Sequence, residues 1–340
     1  MSFARLPRLV LSVGVAALLG LLAVSAHAVT IDWVTVGNPG NAADTTGLPN
    51  PAGAVAISFR IMKFEFTNQQ YTAFLNSVAK TDTYSLYQNE MGSQARGGIA
   101  RSGTSGAYTY AVKSNMGDKP VNYVSWFDAA RVSNWLHNGA TSSSSTETGA
   151  YTLVNGQTSG TAPAKNTGAQ FYIPTEDQWY KAAYYKGSGT NAGYWNYATQ
   201  SDSAPMRVAA DSTGNGTAGS TGNFANYNSE ANWNRQIGNV TTVGTNGGAS
   251  AYGAFDMSGN VYEWNDLTGA AGSSRGSRGG FWGIVASEMS VSGRNTIVPS
   301  SVGHDMGFRL AAVPEPSTYC MALAGLACGG YSLFRRRRVR

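Results

Sequence analysis

All eight tryptophans of the 340-residue chain lie between residues 29 and 312, and both cysteines, Cys320 and Cys328, lie outside that span. The body must therefore fold with no disulfide, and thiol chemistry or cysteine-based zinc binding cannot be built in it. The same span is rich in Gly, Asn, Ser and Thr. Many turns together with many rings predict a loop-rich fold held by buried aromatics, and the ring content argues against disorder.

The two ends carry their own grammar. Arg5 and Arg8 precede an apolar run from Leu9 to Val24, and Ala26-His27-Ala28 follows. A basic start, a short apolar stretch and a small-x-small site read as a secretory signal peptide over residues 1–28, cut after Ala28. Near the other end, Val313-Pro314-Glu315-Pro316-Ser317 precedes an apolar run from Tyr319 to Phe334, closed by Arg335, Arg336, Arg337, Arg338 and Arg340. Such a run is expected to form a transmembrane helix that enters a bilayer and stops at its arginines, which prefer the cytoplasmic side. It lies near the short limit of about 17–25 residues for a spanning helix. An ordinary membrane anchor shares these bare features. The ordered triplet of Pro314-Glu315-Pro316, apolar run and arginine cluster resembles the PEP-CTERM sorting signal over residues 313–340. That resemblance implies an exosortase-type sorting protease as partner and membrane contact, at least transient, through the C-terminal helix. It also implies export through the inner membrane to the outer surface or extracellular matrix of a Gram-negative bacterium, alongside exopolysaccharide.

The formal charge of +5 belongs to these ends. Without Arg5, Arg8, the five tail arginines and Glu315, the body holds 17 basic and 18 acidic residues. It is near neutral and offers no basic field for nucleic acid.

Within the body, helices are expected over 69–78, 126–137 and from 175 to about 185. Thr67 or Asn68, Ser125, and Thr175 with Gln178 are placed to cap them. Asp128 and Arg131 lie three apart on one helix and could pair, the other reading being ordinary structural hydrogen bonding. Strands are expected over 29–36, within 55–66, over 171–173, and around 279–282, 289–292 and 307–310, with long loops at 140–170 and 187–250. Three short helices among many short strands indicate an α+β fold.

Five blocks in order carry a resemblance across residues 29–312. They begin with Phe64-Glu65-Phe66-Thr67-Asn68-Gln69-Gln70-Tyr71, Lys119 through Ala130, and Ile173 through Trp179. Tyr252 through Trp264 follows, then Arg278-Gly279-Gly280-Phe281-Trp282 with Gly307-Phe308-Arg309. The body resembles the sulfatase-modifying-factor family, formylglycine-generating-enzyme-like. The resemblance implies a variant of the C-type-lectin-like fold with little regular structure.

Oxygen-rich backbone around Gly259-Asn260-Val261-Tyr262-Glu263 suits calcium. By resemblance the ligands are the carbonyls of Ser258, Gly259 and Val261 with the Glu263 side chain. A second set falls on Asn226 and Tyr227. The other reading of Glu263 is an ion pair with Arg275, Arg278 or Arg309. The family's founding enzyme uses two cysteines and copper to convert a sulfatase cysteine to formylglycine, and those places fall near Ala286 and Val291. A second branch uses three iron-binding histidines, and this body has only His137 and His304. Both chemistries fail on residue type. The expectation is therefore a non-catalytic module for a surface glycan or protein ligand. Its cleft would lie near Arg278, Trp282, Glu288, Arg294 and His304. The alternative is an oxidoreductase or other enzyme of altered chemistry in the same cleft.

Overall fold

The computed structural model describes residues 29–314. Three helices form where capping chemistry and apolar spacing coincide: Asn68–Val78, Trp126–His137 and Glu176–Tyr184. Each opens on a reciprocal capping box, Thr67 with Gln70, Ser125 with Asp128, and Thr175 with Gln178. The box at Ser125 uses Asp128, a shorter acid than the Glu or Gln usual at that position. Asn89–Ser93 adds a short fourth helix.

The strands form two four-stranded sheets and two small pairs. The first sheet orders Trp33–Val36, Phe59–Met62, Ala311–Ala312 and Phe171–Tyr172, all antiparallel. The second orders Asn295–Ile297, Arg275–Arg278, Tyr262–Asn265 and Met306–Gly307, the last pair parallel. Its strands from 262 to 265 and 275 to 278 are buried at every position. The chain's last described stretch thus serves both sheets, crossing between them at Phe308-Arg309-Leu310. Phe308 stacks on Phe66 at 5.0 Å, and the Arg309 guanidinium fixes the crossing. Its Nη1 donates to the Met62 carbonyl and its Nη2 to the Phe255 carbonyl.

Several local expectations are corrected. No strand forms over 279–282, because Gly279 and Gly280 take φ of +93° and +75° and end the strand at Arg278. Residues 286–289 form one 3-10 turn in place of the expected strand onset, and pairing resumes at Asn295. Of the two readings of Asp128 and Arg131, structural hydrogen bonding is the one realised: Asp128 accepts from Ser125, while Arg131 bridges to Glu147 at 2.7 Å. The expectation of a transmembrane helix is also corrected. Among the described residues no helix is long and apolar enough to cross a membrane. The C-terminal run on which that expectation rested lies outside the described residues.

Candidate functional site

The five residues expected to line a cleft separate into two groups. Arg278 and Arg294 converge on one carboxylate. Arg278 Nε donates to Glu176 Oε1 at 2.9 Å, and Arg294 donates through Nε and Nη2 at 2.8 Å each. Arg278 is buried and also donates to the carbonyls of Leu48 and Gly293. The Glu176 hydrogen bond and charge raise the proton affinity of Arg294. This clasp ties the helix at 176–184 to the strand at 275–278, so both guanidiniums are engaged in holding the fold.

Trp282 and His304 come together elsewhere, with ring centroids 5.4 Å apart, and Phe281 lies 6.3 Å from the His304 ring. Trp282 is only 6% exposed, so its faces are not open for stacking a sugar, whereas His304 is exposed. Glu288 joins this side more loosely. Burial pushes the Tyr262 hydroxyl up and Glu288 adds to it, and Tyr262 packs on Phe281 at 5.5 Å.

A residue not singled out from sequence completes the group. The Arg96 guanidinium lies 4.1 Å from the Trp282 ring centroid. Its Nε and Nη2 donate to the carbonyls of Gly238 and Ile237 at 3.1 and 2.9 Å. Asn122, fully buried, clamps the assembly: its Nδ2 donates to the Arg96 carbonyl at 2.9 Å and to the His304 carbonyl at 3.0 Å. Arg96 sits in Gln94-Ala95-Arg96-Gly97-Gly98, where nothing local signals a site.

The positions matching the family's two cysteines carry alkyl groups. Ala286 opens the 3-10 turn, and Val291 is buried, its N–H donating to Asn196 and its carbonyl accepting from Leu48.

The oxygen set around Gly259 has a mixed character. Gly259 takes φ +86° and packs so tightly on the Asn226 backbone that any Cβ would overlap the Asn226 carbonyl. Gly259 and Val261 are buried, and neither carbonyl accepts a hydrogen bond from another described residue. Ser258 Oγ accepts from the Ala198 N–H at 3.3 Å. Glu263 is fully buried and already neutralised. It accepts from Arg309 Nε and Nη2 at 2.6 Å each and from Trp179 Nε1 at 2.7 Å. Of the three arginines offered as partners in the sequence, Arg309 is the one it takes, while Arg275 pairs with Asp266 at 3.0 Å. A carboxylate with about four acceptor sites retains room for a cation after three hydrogen bonds. Asn226 Oδ1 is buried without a partner, and the Tyr227 hydroxyl donates to the Pro205 carbonyl at 2.7 Å. Among the described residues no cluster of three His, Cys, Asp or Glu side chains could hold a metal. An ion here would rest mainly on carbonyl oxygens, as calcium tolerates.

Behind Glu263 lies a charge group the sequence did not disclose. Glu65 is fully buried and neither of its carboxyl oxygens has a hydrogen-bond partner. Burial holds its proton affinity well above the ordinary range, Asp256 and Glu263 add to this, and Arg309 opposes it. Burial also raises Asp256, against hydrogen bonds from Gly244 and Asn246.

An α+β domain with mixed sheets, few short helices and a crossing arginine under its last strand defines the class. The family model for the sulfatase-modifying factor enzyme 1-like domain matches residues 29–313, and the chain belongs to that family. The PEP-CTERM protein-sorting motif matches residues 312–338 and marks the protein for export and surface display through an exosortase-linked route. No curated protein matches the sequence. Among solved structures, the crystal structure of CarF superposes with a TM-score of 0.51 at 22% identity, covering 84% of this chain and 99% of that one. Treponema denticola variable protein 1 gives a TM-score of 0.47 at 20% identity, over 84% and 95% of the two chains. PvdO from Pseudomonas aeruginosa gives 0.40 at 18% identity, over 84% and 92%.

Proposed function

We propose that the protein is a non-catalytic binding module displayed on the outer surface or in the extracellular matrix of a Gram-negative bacterium, with a surface glycan or protein as ligand. In this reading residues 1–28 are a signal peptide and residues 29–312 the module, a variant of the C-type-lectin-like fold. Residues 313–340 are a sorting tail that touches the membrane in transit. One observation carries it. The charged residues that would make a reactive pocket are engaged in structural pairs, Arg278 and Arg294 on Glu176 and Glu263 on Arg309. What remains is a clamped patch in which the half-buried Arg96 and the exposed His304 sit against the covered Trp282. Calcium belongs to the same proposal as a structural ion. The carbonyls of Ser258, Gly259 and Val261 with Glu263 would hold it, and Asn226 and Tyr227 would form the second set. Bound there, it would supply charge to the Gly259 and Val261 carbonyls, which lack donors.

The test is co-sedimentation of the purified protein with extracellular matrix isolated from the bacterium that makes it, comparing wild type with His304→Ala. Saturable binding that the variant weakens supports the module. No binding by either protein, or conversion of a sulfatase-type cysteine peptide to formylglycine in a copper assay, sinks it.

A further inference from the structure

The cation at the proposed cleft lacks a counter-charge. Among the described residues no carboxylate lies within ion-pair distance of Arg96, although most buried or half-buried arginines here have one, as Arg131, Arg275, Arg278, Arg294 and Arg309 do. Its Nε and Nη2 are held by carbonyls and its Nη1 is uncommitted. A half-buried guanidinium stacked on a ring, with one edge free, is a donor in search of an acceptor anion. His304 stands beside it, fixed through its own carbonyl by the Asn122 amide that also fixes Arg96. Asn122 is itself fully buried, and the next residue, Tyr123, takes φ +58° while its N–H donates to Gly303. The placement is therefore built into the backbone and does not depend on two free surface rotamers.

The rim of this patch is aliphatic. Ile237, whose carbonyl Arg96 holds, is 78% exposed, and Val302, two residues before His304, is 44% exposed. Sugars are read by open rings and polar side chains, and here the one large ring is covered. Exposed branched aliphatics beside a guanidinium that lacks a carboxylate partner match a protein segment carrying an acid among apolar residues. One guanidinium edge balances one negative charge, which suits a carboxylate better than a phosphate dianion.

We propose that Arg96 and His304, clamped by Asn122 over Trp282, bind a carboxylate on an acidic, apolar segment of a protein partner, with Ile237 and Val302 covering the segment's apolar side chains. The inference rests on the reading of this cleft as a ligand site and narrows it to one ligand class.

The experiment is fluorescence anisotropy of the purified protein with labelled peptides of alternating Val and Leu around one central Glu, Gln or Lys. The Glu peptide should bind about ten-fold more tightly than the Gln peptide, the size of a charge-assisted hydrogen bond, and the preference should weaken with salt. Arg96→Gln should abolish the Glu-over-Gln preference. His304→Ala, at an exposed ring, should reduce it with the melting temperature unchanged. Equal binding of Glu and Gln peptides, or a preference that survives Arg96→Gln, overturns the proposal. If no peptide binds while the isolated matrix still does, the acidic-segment proposal fails and the ligand-site reading stands. If neither binds, both fail.

Discussion

Replacing Glu65 by Gln should stabilise the protein at neutral pH and leave it unchanged in acid. Glu65 is fully buried with both carboxyl oxygens lacking a partner, and Asp256 and Glu263 stand near it against the single charge of Arg309. Arg309 is already engaged by both oxygens of Glu263. Glu65 therefore keeps its proton in the folded state at pH values where the unfolded chain releases it. A carboxyl whose folded affinity is raised makes stability fall as pH climbs from its ordinary value of 4.5 towards the folded one. Each pH unit in that window costs about 1.4 kcal/mol. Glutamine has the neutral acid's shape and bears no such penalty. In a domain of this size each such pH unit corresponds to a melting-temperature difference of roughly 3–5 °C. Scanning calorimetry of both proteins from pH 4.5 to 8.5 isolates this group, because Asp128 and Asp266, each raised to about 6 by burial, titrate in both. Curves that converge in acid and separate upward for Glu65→Gln at neutral pH meet the expectation. A variant less stable than wild type at pH 7.5 would overturn this assignment of a protonated Glu65.

Further expectations follow from the same contacts. Arg309→Met leaves Glu263 buried without its partner and should lower stability by about 3–5 kcal/mol in denaturant melts. Ser125→Ala removes an N-cap and two hydrogen bonds to the buried Asp128, a loss of about 1–2 kcal/mol, while Thr175→Ala should lose about 1 kcal/mol. Gly259→Ala forces a Cβ onto the Asn226 carbonyl at positive φ and should yield little folded protein, read by circular dichroism. If calcium occupies the Gly259–Glu263 turn, elemental analysis will find it in stoichiometric amount and a chelator will lower the melting temperature. An unchanged melt with no metal removes that ion from the account.

The elements with strong local signals were legible in the sequence. Thr175 with Gln178, Ser125, and the apolar spacing of Tyr71, Phe74 and Leu75 fixed three helices because capping and periodicity act within one turn. Short strands were placed less well. Residues 279–282 look extended by composition, but two left-handed glycines break them, and a sequence does not show the sign of φ. Charge pairing was least legible. Asp128 and Arg131 are helical neighbours, yet Arg131 pairs with Glu147, and Glu65 looks like an outward residue between two phenylalanines although it is fully buried. Arg96 was invisible because its meaning arises from Asn122, Gly238, Trp282 and His304, brought together only by the fold. A concavity of about 540 Å³ lined by Val29, Phe64, Gln69, Asp118 and Val243 had no sequence signal for the same reason.

Hydroxyl-radical footprinting of the protein bound to isolated matrix tests the central claim most directly. The account predicts that Ile237, Val302 and His304 lose labelling together while the concavity at Phe64 and Gln69 stays labelled. Protection of that concavity, with Ile237, Val302 and His304 labelled as in the free protein, would contradict it.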